Sequence, residues 1–174
     1  MAIEIELKIR LDDPDTFRKR MGTLARLEGP YHKIDTYFHG GKGSFRLRET
    51  GGAFFVCRKE KAIEGGVEVN SEIEFGVDGA QAFRSFAESL GYREWYRKEK
   101  RGEVWRWDEV MIEVGTVSDL GWFAEFELLL SESVDRRAVD QARQRLLDVL
   151  DALQISPDRV EHQTYSQLLG HRGR

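Results

Sequence analysis

Cys57 is the only cysteine in this chain, so no internal disulfide can form. No Cys/His run has zinc-module spacing, and the four histidines (His32, His39, His162, His171) are scattered and form no H-E-x-x-H motif. No apolar run reaches the ~18 residues that would span a bilayer. Charged residues begin at Glu4, which leaves no room for the apolar segment of a signal peptide. Excess charge of one sign is also missing. Lys and Arg number 27 against 31 Asp and Glu, a net −4 at pH 7. A generally basic nucleic-acid surface is therefore not expected, and the basic stretch Arg93–Arg106 is interrupted by Glu94, Glu99 and Glu103. These absences point to a cytoplasmic protein with neither membrane nor nucleic acid as partner. A length of 174 residues suits one domain, built of two halves at about 1–66 and 67–174 that share a core.

Abundant charge set in alternating patterns is what the chain does have. Ile3, Ile5, Leu7 and Ile9 alternate with Glu4, Glu6 and Lys8, which puts an apolar and a charged face on one strand. Two acids and a base at that spacing can hold a divalent cation with the phosphate it neutralises, or can be an ordinary solvated strand face. Pro14–Leu24 reads as a helix with Phe17, Met21 and Leu24 inward and Asp12 or Asp13 as its cap. Strands are expected at Lys33–Phe38, Ser44–Arg48, Ala53–Lys59 and Val67–Phe75, with Gly40-Gly41, Gly51-Gly52 and Gly65-Gly66 as breaks. Asp78–Leu90 reads as a helix with Phe83, Phe86 and Leu90 on its apolar side. Further strands follow at about 93–106, 110–117 and 122–130, then a long helix, Val134–Leu153, with Ala138, Ala142, Leu146, Val149 and Leu153 at helical spacing. Glu-x-Glu strands precede both of the first two helices, which suggests a weak two-fold internal repeat.

Charges fall in i, i+2 pairs: Glu4/Glu6/Lys8, Arg46/Arg48, Glu72/Glu74 and Glu125/Glu127. Helices with apolar sides will cover the apolar strand faces, so the charged faces turn away from the helices. They form either an open solvated sheet or the lumen of a closed barrel, for which about eight strands suffice. A lumen of both signs is either a mutually paired ionic network or a site for an anion that carries its own metal, with Lys and Arg on phosphate oxygens and carboxylates on the cation.

Glu4-x-Glu6-x-Lys8 resembles the amino-terminal signature of the CYTH superfamily, the triphosphate tunnel metalloenzymes. Asp35-Thr36-Tyr37-Phe38 is similar to its D-x-Y-F strand and Phe45-Arg46-Leu47-Arg48 to its L-R-x-R strand. Phe55–Lys59 resembles its phosphate-binding lysine strand, Lys100-Arg101 its second basic strand, and Leu120–Glu127 its L-G-x-F-x-E-x-E stretch. Tyr165–Leu169 resembles the tail of the class IV adenylyl cyclase (CyaB-like) branch. The resemblance implies an α+β protein whose antiparallel strands, eight in the family, close into a tunnel with flanking helices. It also implies Mg²⁺ or Mn²⁺ held by Glu4, Glu6, Glu125, Glu127 and Glu113. Glu4, Glu6 and Lys8 would be catalytic. Lys8, Arg46, Arg48, Lys59 and Lys100 would hold the triphosphate, with Glu72 and Glu74 beside them. The implied reaction is conversion of ATP to cyclic AMP and pyrophosphate. The alternatives are hydrolysis of tripolyphosphate or of a thiamine or nucleoside triphosphate, and binding without turnover. CyaB-like relatives suggest a homodimer. Two positions depart from the family pattern: Gly115 stands where an aspartate is usual and Gly102 where a second cation is usual. Glu113 is expected to cover for the acid, and Lys98 or Arg106 for the base.

Of the remaining residues, Trp95, Trp105, Trp107 and Trp122 are read as packing rather than adenine stacking, Cys57 as a small core residue, and His32 and His39 as surface residues. Tyr165 is expected to dock on the core and the chain to fray after Leu169.

Overall fold

The computed structural model describes residues 2–41, 43–64, 67–131 and 134–171. The Gly65-Gly66 break and the last three residues of the tail lie outside them. The strands are β1 (Ala2–Arg10), β2 (Arg26–Gly40), β3 (Gly43–Thr50), β4 (Ala53–Glu64), β5 (Val67–Val77), β6 (Arg93–Trp107), β7 (Val110–Val117) and β8 (Gly121–Ser131). The helices are α1 (Pro14–Leu24), α2 (Ala80–Ser89), α3 (Arg136–Ala152) and the single turn α4 (Tyr165–Leu168). None of the helices is long and apolar enough to cross a membrane. The strands close into one antiparallel barrel in the order β1-β5-β4-β3-β2-β6-β7-β8, so the expected closed α+β barrel is what forms. Closure gives every strand two neighbours, with unpaired flanks left where strands outrun them.

The apolar faces point outward, under the helices. Ile5, Leu7 and Ile9 of β1, Ile112 and Val114 of β7, and Ala124, Phe126 and Leu128 of β8 are buried against Phe17 and Met21 of α1 and Leu146, Val149 and Leu150 of α3. Each such side chain contributes roughly 1.5–3 kcal/mol of burial. Asp13 caps α1 by accepting from the Thr16 N–H at 3.0 Å, and Asp135 caps α3 by accepting from the Ala138 N–H at 2.9 Å. A second cluster packs Ala87 of α2 on Phe38, Leu47 and Val56.

Three details differ from the periodicity. In α2 the inward side is Ala80, Phe83 and Ala87, packed on β2, β3 and β4, whereas Phe86 is 59% and Leu90 58% exposed, because a short helix on a sheet seats only one narrow stripe. Leu24 is 40% exposed because it ends α1 as the chain turns into β2. β2 begins at Arg26, seven residues before Lys33. Its first half pairs with β6 alone, since β3 joins only from Lys33, and an unpaired flank tolerates Gly29 and Pro30.

Residues 160–171 cross one end of the barrel. Val160 bridges to Ile9, and the Glu161 N–H donates to the Lys8 carbonyl at 2.7 Å. Tyr165 then packs edge-on to Phe123, with ring centroids 5.1 Å apart, and plugs that end.

Candidate active site

Because side chains alternate, the faces turned away from the helices line the lumen, a cavity of about 400 Å³. Glu4, Glu6, Lys8, Arg46, Arg48, Lys59, Glu72, Glu74, Lys100, Glu125 and Glu127 all reach it. Glu113 sits behind them, buried, held by Lys33 and by Lys100 at 3.0 Å. Lys98 lines the lumen and can serve as the covering base; Arg106 is not among the lining residues and pairs with Glu28 at 3.3 Å. Cys57 faces the lumen rather than the apolar core, and its thiol donates to Glu72 Oε1 at 2.6 Å. Tyr165 does both things expected of one or the other: it docks on Phe123 and lines the tunnel.

Basic groups collect on β2, β3 and β6. Asp35, fully buried, accepts from Arg48 Nε at 2.7 Å and Nη2 at 2.9 Å, and Lys98 lies 3.3 Å and Arg46 3.8 Å away. Burial would raise the Asp35 pKa, but Lys98, Arg48 and Arg46 together hold it well below the usual range. Asp35 is shared by three cations, one of which, Arg46, also reaches Glu72 at 3.5 Å, so cations outnumber carboxylates on this wall. Arg46 Nε is buried with no hydrogen-bond partner among the described residues, in a residue that lines the lumen. Lys8, Lys98 and Lys100 lie 4.9, 4.7 and 5.9 Å from the Tyr165 ring centre, so the plug is ringed by ammonium groups.

Acids collect on β1, β7 and β8, and they divide into two kinds. Burial raises Glu113 and Glu125, but Lys100 overcomes it, aided by Lys33 for Glu113 and Lys98 for Glu125. Glu113 is held down to about 2, and Glu125 also lies well below its usual value. Glu6 and Glu127 move the other way. Burial lifts Glu6 to about 7 despite Lys59, with Glu125, Glu4 and Glu68 adding repulsion. Burial and then Glu113, Glu4, Glu6 and Glu125 raise Glu127 well above its usual value, and it forms no ion pair among the described residues. Glu4, Glu6 and Glu127 bring carboxylate oxygens within 4.8 Å of one another, and Glu113, Glu125 and Glu127 do the same. An all-oxygen set that shares Glu127, the member without an ion pair among the described residues, suits a hard divalent cation. Lys59 bridges the two walls, pairing with Glu4 and lying 3.8 Å from Glu6 and 3.7 Å from Glu72.

Sequence reasoning did not single out Lys33, Lys61, Glu68, Asn70 and Tyr96. Extending the same alternation would have found them: Tyr31-Lys33-Asp35-Tyr37 on β2, Lys59-Lys61 on β4, Glu68-Asn70-Glu72-Glu74 on β5 and Tyr96-Lys98-Lys100 on β6 are continuous i, i+2 rows.

Gly102 and Gly115 face each other across β6 and β7. A Cβ on Gly115 would meet the Arg101 carbonyl and lie 2.5 Å from the Tyr31 hydroxyl; one on Gly102 would meet the Val114 carbonyl. No side chain fits here, and Tyr31 takes the space. Gly115→Asp, which writes the family's carboxylate back, is therefore expected to cost about 1–3 kcal/mol of stability without raising activity. Urea titration and a turnover assay check this.

A family model described as the CYTH domain matches residues 2–165. A Methanocaldococcus jannaschii protein, provisionally named an adenylate cyclase, is 26% identical over 176 residues, which cover 97% of this chain and 99% of that one. Among solved structures, the PH1012 protein of Pyrococcus horikoshii superposes with a TM-score of 0.81 at 23% identity, covering 95% of this chain and 98% of that one. HpAC1 of Hippeastrum, whose structure is described as revealing a dominant triphosphatase activity, superposes with a TM-score of 0.61 at 17% identity, over 97% and 94% of the two chains. The matched segment contains the whole barrel and ends on the tyrosine that plugs it, and the chain belongs to the CYTH family.

Proposed function

We propose that the tunnel binds a triphosphate together with Mg²⁺ or Mn²⁺ and that the reaction is of the class IV adenylyl cyclase kind, ATP to cyclic AMP and pyrophosphate. The observation that carries this reading is the division of the lumen. Carboxylates gather at Glu4, Glu6 and Glu127. Lys59 pairs with Glu4 and lies 3.8 Å from Glu6, but no cation pairs with Glu127 among the described residues. Arg46, Arg48 and Lys98 cluster around Asp35 on the other wall. A mutually paired network would not leave Glu127 without a cation or Arg46 Nε without an acceptor. Glu4, Glu6 and Glu127 would hold the cation, with Glu125 and Glu113 next to them. Bound there, a divalent cation would supply Lewis acidity to the reaction.

The chain's own groups do the rest. Arg46 and Arg48, oriented by Asp35, present planar donors to phosphate oxygens, and Lys8, Lys98 and Lys100 add charge at the plugged end. In cyclisation the ribose 3′-hydroxyl would lose its proton to a lumen carboxylate, its oxygen would bond to the α-phosphorus, and the pyrophosphate whose bond breaks would carry the proton away. These cations offset the charge that builds on the leaving group. Tyr165 and Phe123 close one end to water. The Hippeastrum description favours a second reading, in which water attacks the terminal phosphorus. Incubation with ATP and with tripolyphosphate in Mg²⁺ or Mn²⁺, followed by product identification, separates the two. Cyclic AMP with pyrophosphate supports the first reading; orthophosphate without cyclic AMP supports the second.

Lys59→Ala is expected to raise the tripolyphosphate Kd by about tenfold, the loss of one charge-assisted contact. Calorimetry reads this directly, and an unchanged Kd removes Lys59 from the anion site.

A further inference from the structure

The tunnel wall carries an aromatic column that triphosphate binding leaves unexplained. Tyr37 of β2 and Tyr96 of β6 are cross-strand neighbours whose rings stack 4.3 Å apart at 8°. Both line the lumen. A third ring continues the column: His171 stacks on Tyr96 at 4.6 Å and 19°. Trp95 walls the column edge-on, 4.9 Å from Tyr96 and 5.8 Å from His171. It stands there because the β2–β6 register skips a residue between Tyr37/Tyr96 and Phe38/Glu94, a bulge that re-aims the side chain.

β7 pairs with β6 only from Lys100 onward, so Tyr96 lies beyond the β6–β7 ladder. The terminal segment lies there instead, and His171 is tied to it by its own N–H donating to the Ser166 carbonyl at 2.7 Å. The column is also joined to the cationic wall. Lys98 donates to the Tyr37 hydroxyl at 3.2 Å, and Arg46 is the cross-strand partner of Tyr37. A planar ring on Tyr96 would therefore have its phosphates beside Lys98 and Arg46.

We propose that Tyr96 is the stacking seat for the planar heteroaromatic ring of a triphosphate ester, and that the His171 imidazole occupies that seat until the ring displaces it. The inference rests on the triphosphate reading of the tunnel. It makes Tyr96 the residue by which this chain tells a ring-bearing ester from inorganic tripolyphosphate.

The test measures dissociation constants by calorimetry for ATP, thiamine triphosphate and tripolyphosphate with Mn²⁺, using the full chain and its His171→Ala and Tyr96→Leu variants. His171→Ala is expected to tighten a ring-bearing ester by about threefold. Tyr96→Leu is expected to weaken the same ester by about tenfold. Tripolyphosphate should be unmoved by either, and the ester that responds identifies the ring. His171 lies outside the barrel, so its variant keeps the test decisive if Tyr96→Leu unfolds. If all three ligands bind but His171→Ala shifts none of them, or shifts them equally, the stacking inference fails and the tunnel reading stands. If the unaltered chain binds none of the three, both fail.

Discussion

Glu127→Gln is expected to lower the Mn²⁺ affinity of the tunnel by at least about tenfold and the metal-dependent turnover with it, while leaving the fold as stable as before or more so. The two effects point in opposite directions for one reason. Glu127 stands among Glu4, Glu6, Glu113 and Glu125 with no ion-pair partner among the described residues. Its ionised form is disfavoured in the unliganded protein and useful only when a cation arrives. A neutral amide of the same shape removes repulsion and a metal ligand together. Glu4→Gln should share the loss of turnover, but Glu4 also pairs with Lys59 and accepts from Asn70 Nδ2 at 3.3 Å, so it should be destabilising as well. Thermal melting beside Mn²⁺ titration checks both variants. A Glu127→Gln protein that melts lower and binds Mn²⁺ normally would make that residue structural.

Asp35→Ala is expected to cost about 3–5 kcal/mol, because it strips the shared carboxylate from three buried or half-buried cations at once. In a chain of this size that is roughly 10 °C or more in Tm. The pH dependence has a definite sign. The folded-state pKa of Asp35 is depressed, so its contribution is complete above the unfolded value near about pH 4 and is lost as pH falls through the depressed folded value. Acid titration of stability should therefore be shallower in Asp35→Asn than in the unaltered protein. Equal acid slopes would mean that Asp35 does not carry the network.

Much of this architecture is legible before folding. The alternation of Glu4, Glu6 and Lys8 with Ile5, Leu7 and Ile9 states the strand and that its charged face turns away from the helices; closure into a lumen rather than an open sheet is legible only through the family resemblance. Phe17/Met21 and Leu146/Val149 are read correctly because a long or well-capped helix has one unambiguous seam. Phe86 and Leu90 are misread because a short helix offers several equivalent seams and only the sheet beneath it chooses. The choice between Lys98 and Arg106 is not legible, because sequence separation says nothing about the Glu28 that meets Arg106 from β2. The division of the acids is not legible at all: Glu125 and Glu127 sit two residues apart on one face, yet Lys100 claims one and leaves the other bare. Likewise, Gly102 and Gly115 look like missing charges until the Tyr31 hydroxyl is seen in the space between the strands.

The most direct test of the account is calorimetric titration of the unaltered chain with tripolyphosphate, once with Mn²⁺ and once with excess chelator. A metal seat and a phosphate wall in one lumen predict one triphosphate per chain with Mn²⁺ and affinity at least about tenfold weaker without it. Equal affinity in both conditions, or no binding in either, would contradict it.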